Sequence, residues 1–302
     1  MQEIQLQQSI KKWNEEKDLS RWESYYNEDS YHGHRLRSRE AKLLEFHDSL
    51  PLKRKAKVLE LGYGAGMTSA KIVSRGFDLT GIDISNKLRD IAINNCKKVK
   101  GGSYKFLIGN AEKLDFPDNS FDCVVGLGFI HYLENPLQCL KEVKRVLKPK
   151  GHFIITQRNM LGISSMDGPL KWMRAAYYGG GRRRYELRWQ DTALAYPILG
   201  IATLVSPFSQ KMKKLQFMIR QHRTIGLVRK NALSYSRMKK LIELSGLTIV
   251  NSSGAGYLTK KYKLFPRTAQ RLDQYLQHLN DSGKHWIKKF GNSVVFLAQK
   301  KS

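Results

Sequence analysis

Between residues 57 and 156, short apolar runs alternate with segments whose apolar positions recur at helical spacing. The runs 57–61, 78–83, 104–108, 121–126 and 152–156 predict five strands. The segment 68–74, closed by Gly76, predicts a helix, as does 86–99 with Leu88, Ile91, Ala92 and Cys96 on one face. A third helix is predicted over 136–147, where Leu137, Leu140, Val143, Val146 and Leu147 recur, and 149–151 predicts a turn. Strands separated by helices of this length predict βαβ units, hence a parallel sheet covered on both faces. Upstream, residues 3–19 are polar and predict a helix or a loose arm. Residues 38–50 predict a helix with Leu43, Leu44 and Phe46 near one face, ended by Pro51. The alternation stops at Gln157. It resumes with a helix over 234–245 ended by Gly246, a strand over 247–252 and a last strand over 293–299. Between these two strands, Phe265, Pro266 and Arg267 open a helix with Leu272, Tyr275, Leu276 and Leu279 on one face, which fits packing under a lid or a dimer contact.

The chemistry gathers where predicted strands end. The first runs into Glu60-Leu61-Gly62-Tyr63-Gly64-Ala65-Gly66, whose alternate glycines allow a tight turn and close approach to a ligand. The helix that follows points its N-terminus at the same place. Alone, such a loop also suits a dinucleotide fold or a plain βα turn. The second strand ends at Asp83, followed by Ile84, where a carboxylate can accept from both hydroxyls of a ribose. The third leads into Gly109-Asn110-Ala111-Glu112, where a polar side chain and a backbone N–H can read an adenine edge. Leu127 and His131 follow the fourth, in Gly126-Leu127-Gly128-Phe129-Ile130-His131-Tyr132. Ligands of open parallel sheets bind at these carboxyl ends.

Taken in order, these motifs resemble the class I S-adenosylmethionine-dependent methyltransferase superfamily. The run 109–155 is most similar to the branch typified by ubiquinone/menaquinone-biosynthesis methyltransferases. The resemblance implies a Rossmann-like, doubly wound α/β fold with a seven-stranded sheet whose last strand is antiparallel. It also implies S-adenosyl-L-methionine as donor, no metal, and small-molecule or lipid acceptors. The implied cofactor contacts are Tyr25, Glu60, Gly62, Tyr63, Gly64, Gly66, Asp83, Ile84, Asn110, Ala111, Glu112 and Leu127. Two positions depart from the family. Tyr63 stands where a small residue is common, so its ring is expected over the cofactor or narrowing the pocket. Asn110 replaces the usual Asp and still offers an acceptor. A sulfonium methyl is already activated, so placement of the nucleophile is the main task. His131 is the candidate general base for a hydroxyl acceptor, and shaping the loop is its other reading. Tyr25, Tyr26 and Tyr31 fit closing over the cofactor, as N-terminal aromatics of the family do, or packing the N-terminal helix.

Charge separates the donor half from the rest. Net charge is +27, but residues 1–170 carry 27 Lys+Arg against 21 Asp+Glu, and residues 171–302 carry 26 against 5. The second half is therefore expected to meet something anionic. Residues 171–230 hold 13 Lys+Arg, including Arg182, Arg183 and Arg184, interleaved with Trp172, Tyr177, Tyr178, Tyr185 and Trp189. Residues 192–210 are free of Lys, Arg and Glu and largely apolar. As a helix they would reach about 28 Å, but Pro197 and Pro207 break it. A single crossing would also separate strands that share one sheet. A basic lid on an anionic membrane surface, with a hydrophobic or anionic small-molecule acceptor, is the reading favoured. A soluble small-molecule enzyme and an RNA methyltransferase are the alternatives. The RNA reading lacks the Asn/Asp-Pro-Pro-Tyr/Phe motif of nucleic-acid amino-methylators. The expected organisation is an N-terminal helical cap (1–50), a cofactor-binding core (51–156), a basic helical insertion between strands five and six (157–230) and completion of the sheet (231–302). A homodimer fits the same features. Three cysteines without metal-like spacing and no signal peptide suggest a reduced, cytoplasmic setting, peripheral on the inner membrane face.

Overall fold

The computed structural model describes residues 24, 26, 28, 30–159, 233–257, 266–283 and 286–301. Tyr25, the segment 3–19, Phe265 and the insertion from 160 to 232, including 192–210, lie outside them. The described elements are α1 (Tyr31–Asp48), β1 (Lys57–Leu61), α2 (Met67–Ser74), β2 (Asp78–Asp83), α3 (Asn86–Lys97), β3 (Tyr104–Ile108) and β4 (Phe121–Leu127). They continue with α4 (Pro136–Val146), β5 (Leu147–Arg158), α5 (Tyr235–Leu244), β6 (Thr248–Ala255), α6 (Pro266–Asp281) and β7 (Ser293–Gln299). Short 3-10 turns cover Ile130–Tyr132 and Ile287–Phe290.

The seven strands form one sheet in the order β3-β2-β1-β4-β5-β7-β6. Neighbours from β3 to β5 are parallel, and β7 runs antiparallel to both β5 and β6. This is the doubly wound sheet with a reversed last strand that the resemblance implies. Strand order reverses between β1 and β4, so a crevice opens beyond their carboxyl ends.

Alternating side chains divide the core between the two faces. Leu59, Val124, Phe153, Ile155 and Phe296 pack against Leu140, Val143, Met238 and Ile242 of α4 and α5. Val58, Cys123, Val125, Ile154 and Val295 belong to the other cluster, with Leu43, Phe46, Ile72, Leu88 and Ala92 of α1, α2 and α3. Both faces are dry, so the central strands read as apolar runs.

Several boundaries differ from the sequence reading, and four of them have a visible cause. Helix α1 starts at Tyr31, because Ser30 caps it by accepting from the Gly33 N–H at 3.0 Å. Strand β5 absorbs the expected turn at 149–151. Lys150 takes a positive φ of 62° there, and its N–H pairs with the Lys300 carbonyl at 3.0 Å. It also runs past Thr156, since Gln157 and Arg158 pair with Val294 and Ser293. Strand β6 reaches Ala255 because the ladder to β7 needs only backbone groups and continues through Ser252, Ser253 and Gly254.

Helix α6 docks on the sheet at the β6 side. Its polar side fastens it to the body. The Asp273 carboxylate accepts from the Tyr257 N–H and meets His34 at 3.1 Å, Asp281 pairs with Lys42 at 2.8 Å, and Asn280 accepts from the Gly254 N–H at 3.0 Å. Leu272 and Tyr275 are exposed. Among the described residues, no helix is long and apolar enough to cross a membrane.

Candidate active site

The loop after β1 is shaped by its glycines. Gly64 and Gly66 take φ values of +52° and +75°, where a side chain is strained. A Cβ on Gly66 would lie 2.7 Å from Ala92 Cα, so helix α3 packs directly on the loop. A Cβ on Gly64 would meet nothing within 4 Å. The loop therefore has one side closed against the protein and one open, as a cradle for a ligand requires.

Asp83, at the end of β2, is fixed beside that open side. Its carboxylate accepts from the Gly64 N–H at 3.1 Å and from the Ser85 N–H at 3.0 Å. Burial raises its pKa, and the backbone donors Gly64, Ser85 and Ile84 work against that shift. Glu60 is deeper, 1% exposed, and accepts from the Ser69 hydroxyl on α2. Burial pushes its carboxyl up to about 8, with Glu40 and Asp83 adding to the rise and Ser69 opposing it.

Helix α1 lies across the same end of the sheet. Glu40, 1% exposed, accepts from Thr68 Oγ1 at 2.9 Å and from Lys71 Nζ at 2.7 Å, both on α2. The Tyr26 phenol is raised by burial and by Glu40, while Arg39 and a hydrogen bond with Thr68 oppose the rise. Of the described N-terminal tyrosines, Tyr26 is thus brought to the start of α2, directly after the glycine loop. Tyr31 opens α1.

Beyond β4, a Cβ on Gly126 would collide with the Phe129 ring, and one on Gly62 would lie 2.7 Å from Phe129 Cβ. Phe129 thereby locks the β4 loop to the β1 loop. His131 sits in the 3-10 turn that follows, half-buried, with its ring 4.0 Å from that of Tyr132.

This arrangement coincides with a sequence match over residues 59–155 to a family model described as a methyltransferase domain. The chain carries a class I S-adenosylmethionine-dependent methyltransferase domain. A demethylmenaquinone methyltransferase of Tropheryma whipplei (strain Twist) is 33% identical over 101 residues, 33% of this chain and 41% of the relative. The sterol 4-C-methyltransferase strm-1 of Caenorhabditis elegans is 31% identical over 111 residues, 36% of this chain and 33% of the relative. This chain thus spans less than half the length of either curated relative. Among solved structures, a SAM-dependent methyltransferase from Methanosarcina mazei shares the fold with a TM-score of 0.51 and 18% identity, over 85% of this chain and 97% of that one.

Within the methyltransferase domain, three implied cofactor contacts have side chains engaged with the rest of the protein. The Tyr63 ring is 4% exposed and packs 4.7 Å from that of Phe106 inside the core, so it neither covers the loop nor narrows the crevice. It turns inward because glycine at 81 leaves room on β2: a Cβ there would lie 2.9 Å from Tyr63 Cδ1. Glu112 uses its carboxylate to accept from the Asn135 N–H at 2.6 Å, which ties the β3 loop to the start of α4. Asn110 accepts from the Glu112 N–H at 2.9 Å, which shapes the turn around Ala111 and spends one of its two lone pairs. Glu60, Gly62, Gly64, Gly66, Asp83 and Ile84 lie together at the ends of β1 and β2, with Leu127 half-buried at the end of β4.

Sequence reasoning missed Glu40, Ser69 and the arginines of α1. Arg35 and Arg39 are only 8% and 7% exposed despite their charge. Their spacing of four residues, flanking Leu36 and Leu43 on a helix, was the available signal, since it puts both on one face.

Proposed function

We propose that this chain is an S-adenosylmethionine-dependent methyltransferase acting on a hydrophobic or anionic small-molecule acceptor at a membrane surface. The observation that carries the donor reading is the pairing of Asp83 with Gly64. A half-buried carboxylate holds the one loop glycine whose side-chain direction is open. Asp83 would receive the ribose hydroxyls, and the Asn110–Ala111 turn would receive the adenine edge. Glu60 would brace the loop from beneath through its bond with Ser69. When bound, S-adenosylmethionine supplies a methyl group already activated on sulfur. The protein's own work is to exclude water and position the acceptor, which is mostly a matter of orientation. Phe129 closes the floor between the two loops, and His131 stands on the acceptor side of it, within the β4 loop. For a hydroxyl acceptor His131 takes up the proton.

The acceptor class draws on two supports. The similar curated proteins are named for demethylmenaquinone and a sterol, both apolar molecules. The second half of the chain carries 26 Lys+Arg against 5 Asp+Glu, and α6 and the turn after it expose Leu272, Tyr275 and Trp286 beside Arg267, Arg271 and Lys289. Aromatic and basic residues around apolar ones suit an anionic interface, at about 1 kcal/mol per basic residue near the surface. The test is flotation with liposomes of phosphatidylcholine and phosphatidylserine, followed by methyl transfer from radiolabelled donor to the extracted lipid fraction. Flotation with the acidic lipid and label in the organic phase are expected. Protein left in the soluble fraction at low salt, with RNA shifted in a gel, would instead favour the nucleic-acid alternative.

A further inference from the structure

Two arginines on α1 are buried, with the Glu40 carboxylate near enough to Arg39 to favour its charge but engaged by other donors. Arg35 and Arg39 point from one helix face toward the carboxyl ends of β4 and β5. The Arg39 guanidinium lies against Gly128, where a Cβ would collide with it, in the loop that leads to His131. Arg158, at the end of β5, adds a third cation, whose repulsion is felt by both. Among the described residues, no carboxylate forms an ion pair with Arg35 or Arg39. The nearest in sequence, Glu40, is already held by Thr68 and Lys71. The Nε atoms of both arginines and the Tyr31 hydroxyl are buried with no hydrogen-bond partner.

Burying a cation without compensation costs several kcal/mol. Burial and the neighbouring cations lower the Arg35 pKa to about 10, so it still carries its charge at neutral pH. Two such groups side by side gain most from an anionic ligand that pairs with them. Arginine's planar fork suits carboxylate and phosphate oxygens in particular. The cluster also sits on the right side of the crevice. The glycine loop and Asp83 flank β1 and β2, whereas Gly128, Tyr132 and Arg158 flank β4 and β5.

We propose that Arg35 and Arg39 form the subsite that binds an oxyanion, carboxylate or phosphate, on the methyl acceptor. This rests on the methyltransferase reading, since it assigns the donor to the opposite side of the crevice. The acceptor is then amphiphilic, with a charged group anchored at α1 and its nucleophile held near the β4 loop. The two arginines are binding residues, and they would orient the acceptor.

The experiment is calorimetry on the full chain saturated with S-adenosylhomocysteine, titrated with benzoate, phenyl phosphate and benzyl alcohol. At least one anion is expected to bind ten times more tightly than the alcohol, and the stronger of the two identifies the oxyanion. Arg39→Met should lose that preference, Arg39→Lys should recover part of it, and S-adenosylhomocysteine affinity should stay the same. Arg39→Met should also melt at a higher temperature, because an uncompensated buried charge is gone. Anions that bind no better than the alcohol, or an Arg39→Met protein that binds them like wild type, would overturn the subsite alone. Failure of wild type to bind S-adenosylhomocysteine would overturn the methyltransferase reading instead.

Discussion

Ser69 on α2 donates its hydroxyl hydrogen to the carboxyl of Glu60 on β1, in a place from which water is almost wholly excluded. Because burial raises the Glu60 pKa from 4.5 to about 8, the folded protein holds a proton there that the unfolded chain has released by neutral pH. Protons bound in excess by the folded state make stability fall as pH rises. The Glu60 contribution is complete below about pH 4.5 and is lost progressively up to about pH 8. Thermal melts from pH 5 to 9 should therefore show a steeper decline for wild type than for Glu60→Gln, which cannot ionise. Parallel pH profiles would show that Glu60 does not titrate in this range.

Gly66 and Gly64 should separate packing from cradle. An alanine at 66 combines a positive φ with a 2.7 Å clash on the α3 backbone, so Gly66→Ala should destabilise by about 3 kcal/mol in urea unfolding. An alanine at 64 carries the φ strain alone, about 1 kcal/mol. Its methyl group enters the open side of the loop, so Gly64→Ala should weaken S-adenosylmethionine binding by more than its effect on stability suggests. Equal losses of stability would mean that the two sides of the loop are alike.

The proposed proton acceptor is His131. His131→Ala should lower turnover of a hydroxyl acceptor about 100-fold or more, with cofactor affinity unchanged. The acid limb of the pH–rate profile should disappear with it. Turnover that falls while the profile keeps its shape would leave His131 with the role of shaping the β4 loop beside Tyr132.

Much of this was legible in the sequence because the sheet is buried on both faces. Val58, Leu59, Val124, Val125, Ile154 and Ile155 form apolar runs, and the ligand-facing residues fall where those runs stop. Strand ends such as Asp83 are local features. The direction of a side chain is not. Tyr63 turns inward only because Gly81, on another strand, leaves space for its ring. Glu112 turns away from the crevice because the Asn135 N–H, beyond β4, needs an acceptor. The start of α1 was missed because residues 31–37 look polar. Arg35 and Leu36 are nevertheless both inside, while Arg37 stays exposed. Residues 253–255 resembled a loop because their side chains are small or absent, although the antiparallel ladder to β7 runs through their backbone.

The donor site is tested most directly at Asp83, whose carboxylate holds the Gly64 N–H at 3.1 Å. Calorimetry of S-adenosylmethionine binding to wild type and to Asp83→Ala is the decisive measurement. Removing a charged acceptor of hydrogen bonds costs about 1.5–3 kcal/mol per bond. Wild type should therefore bind, and Asp83→Ala should bind at least tenfold more weakly while keeping its fold by circular dichroism. Equal affinity in two folded proteins would contradict the account.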